Sequence, residues 1–207
     1  MTKTRLTTLV LATGNAGKVR ELSRIFGDLP FELKSLRDFD GITGMDETGE
    51  TFVENASLKA TGFAVQTREL CLADDSGIEV EALGNAPGVL SARFAGADTG
   101  YDVKIERLLA MMRESGSSSR KARFVCGIAV ANDRGRIVHT VQAQCRGTIA
   151  DKPRGTNGFG YDPIFIPDGF GQTFGELGDD VKGSISHRAK AADLIIRYLL
   201  DFIARRT

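Results

Sequence analysis

The chain has 207 residues, 42% hydrophobic and 26% charged, which suits one sizeable core and is short for two independent domains. Lys plus Arg and Asp plus Glu number 27 each, for a formal net charge of zero. The broad basic field that polynucleotide binding relies on is therefore missing, whereas a free nucleotide in a local pocket stays compatible.

No apolar run approaches the ~20 residues of a membrane span. The N-terminal Met-Thr-Lys-Thr-Arg lacks the apolar region of a signal peptide, so a cytoplasmic protein without membrane association is expected. In chain order, Leu6 to Ala12 reads as a buried strand. Val19, Leu22, Ile25, Phe26 and Leu29 follow at helical spacing. Phe31, Leu33 and Ser35 alternate with polar residues as a second strand, and Asp38 to Glu50 is an acidic, glycine-bearing loop. Thr51 with Glu54 has capping-box spacing ahead of a helix whose inner face is Phe52, Ala56, Ala60, Phe63 and Ala64.

Leu70 to Ala73 is a short apolar strand running into Asp74-Asp75-Ser76-Gly77, and Ile78, Val80 and Ala82 alternate beyond it. A third helix carries Ile105, Leu108, Leu109 and Met112 and stops in a serine-rich surface loop at 115–119. Phe124 to Val130 and Ile137 to Ala143 flank the turn Asn132-Asp133-Arg134-Gly135, an antiparallel hairpin. A long loop from Asp151 to Pro163 precedes a short strand at Ile164 to Ile166. The last helix runs from Ser186, a good N-cap, to about Arg205. Strand–helix alternation followed by a hairpin predicts a mixed α/β (α+β) domain over 1–207. Cys71, Cys126 and Cys145 are odd in number, widely spaced and without C-x-x-C, so reduced core thiols are expected.

Four segments carry possible chemistry. Thr13-Gly14-Asn15-Ala16-Gly17-Lys18 joins the first strand to the first helix. Two glycines allow close backbone approach, helix N–H groups are expected to point outward, and Lys18 adds a charge, so an anion such as phosphate fits. Ala12 and Val19 break the G-x-x-x-x-G-K-[ST] pattern, so this is not a P-loop. Asp74 and Asp75, as successive strand residues, would face opposite sides; the alternative is an Asx-type turn. Asp46-Glu47-Thr48-Gly49-Glu50 is either a solvated acidic loop or a second carboxylate source, and with Asp75 it would suit Mg²⁺, which takes few carboxylates and completes its shell with phosphate and water.

In Gly158-Phe159-Gly160-Tyr161-Asp162 an aromatic ring between glycines could stack on a planar ring while Asp162 accepts from ring N–H groups. The other reading is a long surface loop pinned by two aromatics. Ser186-His187-Arg188 places two cationic or near-cationic side chains at a helix start, where the dipole disfavours them. Lys182 is expected in a glycine-flanked loop as a further donor, and His139 as a strand-surface residue.

Taken together, these segments resemble the inosine triphosphate pyrophosphatase family. The resemblance rests on Leu11-Ala12-Thr13-Gly14-Asn15 through Lys18, Glu47-Thr48-Gly49 with Phe52 and Glu54-Asn55-Ala56, and Ala73-Asp74-Asp75-Ser76-Gly77. Pro87-Gly88 with Ser91-Ala92-Arg93, Gly158 to Pro163, and Ser186-His187-Arg188 complete it, in family order over nearly the whole chain. The resemblance implies a long curved mixed sheet flanked by helices, two lobes around a central cleft, and a homodimer. It implies Mg²⁺-dependent hydrolysis of dITP, ITP and XTP to monophosphate and pyrophosphate; a nucleotide-binding regulatory module without hydrolysis is the alternative. By position, Thr13 to Lys18 would hold the triphosphate, with Ser76 and Lys182 as further contacts. Asp75 would be the metal-linked general base, with Asp46 or Glu47 as a metal ligand. Phe159, Gly160, Tyr161 and Asp162 would form the base pocket with His187 and Arg188. Asn157 stands where the family often has glycine.

Overall fold

The apolar run near the N-terminus forms β1 (Thr7–Leu11), and Asn15 stops it by capping α1 (Ala16–Phe26). The computed structural model describes residues 6–205. β2 (Phe31–Ser35) pairs with β1 in parallel, Leu9 opposite Leu33. α2 (Phe52–Thr67) opens with the expected capping box: Glu54 N–H donates to Thr51 Oγ1 at 3.1 Å, and Thr51 N–H returns a bond to Glu54 Oε2 at 3.0 Å.

β3 (Leu70–Val80) also runs parallel to β1, Val10 opposite Cys71. This corrects the two-strand expectation. Asp74 to Gly77 lies inside one continuous strand, and the Asx-turn alternative falls. The backbone groups of these residues belong to the sheet, so their side chains are left for other partners.

α3 (Tyr101–Glu114) leads to β4 (Lys121–Ala131), which turns at Asn132 to Gly135 into β5 (Ile137–Ile149). A short 3₁₀ turn at Asp162–Ile164 precedes β6 (Phe165–Pro167), antiparallel to β5. α4 (Asp179–Ile185) and α5 (His187–Ala204) end the chain. Lys182 is thus on a helix, not in a loop. Ser186 does cap α5, its Oγ accepting the Ala189 N–H at 3.2 Å.

The six strands are ordered β2-β1-β3-β4-β5-β6, a mixed α/β fold. The chain divides into two compact units. One holds the segments up to Asp75, Gly127–Gln142 and from Ala191 onward; the other holds Ser76–Cys126 and Ala143–Lys190. In the first, the apolar face of α2 (Ala56, Ala60, Phe63, Ala64) packs on Val10, Ala12, Cys71, Ala73, Ala129 and Ala131. The second has its own core, in which Ile105, Leu108 and Met112 of α3 meet Phe124, Phe165 and Phe174. All three cysteines are buried thiols outside any disulfide, as expected. No helix among the described residues is long and apolar enough to cross a membrane.

Candidate active site

The predicted site residues gather into two groups, one in each unit. The first is built on β3. Pleating sends Asp74 and Asp75 to opposite faces, and each meets a lysine. Lys18 Nζ lies 3.1 Å from Asp74 Oδ2 and 3.4 Å from the Asp74 carbonyl. Lys59 Nζ lies 3.1 Å from Asp75 Oδ1 and 2.7 Å from Glu47 Oε1. Asp74 is fully buried and Asp75 is 5% exposed.

Burial pushes the Asp75 carboxyl above its ordinary value, with Glu47 adding to the rise and Lys59 and Lys18 pulling against it. For Lys59 burial works against the charge, but Asp75, Asp74 and Glu47 outweigh it and raise its pKa. The lysine therefore stays an ammonium between two carboxylates.

Asn55 fixes the acidic loop to this group. Its Oδ1 accepts the Gly49 N–H at 2.8 Å, and its Nδ2 donates to the Gly49 carbonyl at 3.3 Å and to Asp75 Oδ2 at 3.4 Å. Glu47 is half-buried and touches Lys59, whereas Asp46 is exposed. Of the acidic pair, the structure brings Glu47 to Asp75 through the lysine.

The Thr13–Lys18 loop is shaped mainly by its own cap. Asn15 Oδ1 accepts the N–H groups of Gly17 at 2.8 Å and Lys18 at 3.2 Å, and Thr13 Oγ1 accepts that of Asn15 at 3.2 Å. The expectation of outward helix N–H groups is corrected to that extent: two of them serve the Asn15 cap. Thr13 and Gly17 are buried, while Gly14, Asn15 and Ala16 are exposed. A groove of about 690 Å³ borders the loop, lined by Thr13, Gly14, Ala16 and Arg20 and by Arg37 and Phe39 from the segment after β2.

The second group surrounds Phe159. Lys182 Nζ is 4.9 Å and the Arg188 guanidinium 5.5 Å from the ring centroid. Arg188 is 1% exposed and its Nη2 donates to Ser76 Oγ at 2.7 Å. His187 is buried and stacks on Phe124, centroids 4.6 Å apart. Asp162 Oδ2 accepts the Phe159 N–H at 2.7 Å and the Lys182 ammonium at 2.5 Å. Gly158 has φ of 71°, and a Cβ there would run into Asp162, so the turn needs glycine.

Asp162 is 2% exposed and its Oδ2 holds the turn together, and Tyr161 is a core residue whose hydroxyl donates to the Ser91 carbonyl at 3.0 Å. Asn157 is used as well, its Nδ2 donating to the Leu177 carbonyl at 3.1 Å. Gly77 lets the 88–91 turn close on β3, since a Cβ there would strike the Gly88 carbonyl and Ser91 Oγ.

Sequence reasoning missed Lys59, and it gave Asn55 no role of its own. Both lie on the stripe defined by Phe52, Ala56, Ala60 and Phe63, four residues apart. A polar pair on an apolar helix face was the available signal.

The Ham1 family model matches residues 9–198. The dITP/XTP pyrophosphatase of Desulforamulus reducens is 47% identical over 183 residues, covering 88% of this chain and 90% of that one. The dITP/XTP pyrophosphatase of Bacillus anthracis is 45% identical over 186 residues, covering 88% and 91%. Among solved structures, a HAM1 protein from Coxiella burnetii superposes with a TM-score of 0.87 at 37% identity, covering 95% of this chain and all of that one.

Proposed function

The chain belongs to the Ham1 family, and from that premise we propose that it hydrolyses dITP, ITP and XTP to the nucleoside monophosphate and pyrophosphate, removing non-standard purines from the nucleotide pool. The observation that carries this reading is the Glu47–Lys59–Asp75 arrangement, a lysine held between two carboxylates next to a second lysine–carboxylate pair, Lys18–Asp74. A protein that merely holds a triphosphate gains little from carboxylates beside it, because like charges repel. A hydrolase can use them.

The donor set fits Mg²⁺. Glu47 and Asp75 are hard oxygen ligands, and no cluster of three or more His, Cys, Asp or Glu side chains able to hold a metal forms among the described residues. Mg²⁺ commonly takes one or two carboxylates plus phosphate and water. When bound, it would polarise phosphate oxygens and lower the pKa of an attached water. Asp75, ionised, takes the proton of the attacking water. Lys59 keeps that carboxylate charged despite burial, and Lys18 with the Thr13–Gly17 loop meets the phosphates.

Phe159 offers its ring to the purine, and Arg188 with His187 supplies donors for the 6-keto oxygen of hypoxanthine and xanthine. Adenine presents an amine there and would leave those donors unpaired, at about 1–3 kcal/mol each. In the same reading the protein works in the cytoplasm on free nucleotides as a homodimer, to be checked by light scattering against the 22.3 kDa chain mass.

The deciding assay gives the protein and Mg²⁺ each of ITP, XTP, ATP and GTP and measures pyrophosphate and orthophosphate. Pyrophosphate from ITP and XTP, with ATP and GTP slow, is expected. Equal rates on all four would remove the base pocket, orthophosphate would remove the pyrophosphatase reaction, and tight binding without turnover would establish a regulatory module.

A further inference from the structure

Lys104 is a buried lysine outside both groups described above. It sits one turn into α3 at 2% exposure. Its Nζ donates to the Ala92 carbonyl at 2.6 Å and stands 5.0 Å from the centroid of the Tyr101 ring. An apolar side chain of the same length would fill that volume without desolvating a charge. The ammonium makes sense when its directed bond is used.

Its partners all lead to one place. The Ser91 carbonyl, next in the chain to that of Ala92, receives the Tyr161 hydroxyl at 3.0 Å. Tyr101 meets Tyr161 edge to face, centroids 5.4 Å apart at 89°. Gly160, with φ of 68°, lies against the same Tyr101 ring, where an added Cβ would be 3.5 Å from Cε1. Lys104, Tyr101, Tyr161 and the Ser91-Ala92 carbonyls thus form a closed circuit around the two residues that follow Phe159. Asp162 Oδ2 ties down the Phe159 N–H itself.

We propose that Lys104 and Tyr101 are positioning residues that fix the Phe159–Asp162 turn, and through it the selectivity for the purine base. The inference rests on the reading of Phe159 as the ring that meets the base. Neither residue needs to touch the nucleotide. They hold the backbone on which Phe159 stands, so their loss should weaken base recognition and leave the chemical step alone.

The test compares Lys104→Met, Tyr101→Leu, Tyr101→Phe and Phe159→Ala by steady-state kinetics on ITP and ATP, with thermal unfolding of each. Lys104→Met and Tyr101→Leu are each expected to raise KM for ITP about tenfold, keep kcat within about twofold, and cut the ITP-to-ATP ratio of kcat/KM about tenfold. Tyr101→Phe keeps the ring and should match the parent. A variant combining Lys104→Met with Tyr101→Leu should be no worse than the worse single one, because both act through one circuit. If Phe159→Ala raises KM for ITP while Lys104→Met and Tyr101→Leu change neither KM nor selectivity, the positioning role is overturned and the base pocket stands. If Phe159→Ala changes nothing, the base-pocket reading fails and takes the inference with it. Should Lys104→Met not fold, the contrast between Tyr101→Leu and Tyr101→Phe decides.

Discussion

Lys59 donates to Asp75 Oδ1 at 3.1 Å, and both side chains are buried. A buried carboxylate without a cation would take up a proton and could no longer accept one from water. Asp75→Asn is therefore expected to lower kcat by about 10²–10⁴ while ITP binding, followed by calorimetry, stays near the parent value. Retained turnover would remove Asp75 from the general-base role.

The titration of Asp75 follows from its surroundings. Burial holds its pKa above the ordinary carboxylate value, and Lys59 and Lys18 pull it down. In the metal-free protein, carboxyl-carbon NMR should show Asp75 titrating higher than an exposed aspartate, and Lys59→Met should move it higher still. The sign for stability is set by the same direction. Between the ordinary and the raised value the folded state holds a proton that the unfolded chain lacks, so rising pH through that window destabilises the fold. For Lys59, whose pKa is raised, the contribution is complete below the ordinary lysine value and is lost as pH climbs through the folded one. A downward movement of Asp75 in Lys59→Met would contradict both statements.

Asn55 joins α2 to the acidic loop by two bonds to Gly49. Asn55→Ala leaves a part-buried N–H and carbonyl without that partner and should cost about 1–3 kcal/mol in urea unfolding. Thr51→Ala, which removes only the helix cap, should cost about 1 kcal/mol. Equal losses would mean that the Asn55 bonds add nothing beyond an ordinary cap.

Arg188→Met tests base selectivity independently of chemistry. Loss of the donor is expected to narrow the ITP-to-ATP ratio of kcat/KM by about one to two orders of magnitude, chiefly through slower ITP. An unchanged ratio would assign Arg188, bonded to Ser76 Oγ, to structure alone.

The strand and helix order was readable because periodicity and caps agree in this chain. Thr51 with Glu54 marked α2, and the alternation from Phe124 to Val130 marked β4. The opposed aspartates followed from the pleat alone. What stayed hidden depended on three-dimensional partners. Lys59 is a charged residue, and charged residues are ordinarily placed outward; only its position on the apolar stripe of α2 argued otherwise. α4 was missed because Gly178 caps it and Gly183 interrupts its pattern, both reading as loop. Spacing alone also could not show that Asp162 and Tyr161 build the turn and the core beneath Phe159. The Oδ2 bonds of Asp162 and the burial of Tyr161 hold that turn in place.

A strand that places chemistry on both faces tolerates no change of length. Inserting or deleting one residue among Leu70–Ala73 would exchange the faces of Asp74 and Asp75, bringing one of them to the other's lysine and leaving the second displaced along the strand. A two-residue insertion would restore the faces but slide the pair by roughly 6.4–6.8 Å along the strand. Divergence by indel is therefore closed to the segment from Leu70 to Ser76, where only point substitution can act. The exposed serines at 115, 117 and 118 lie outside any helix or strand core, and fusions, tags or peptide insertions belong there.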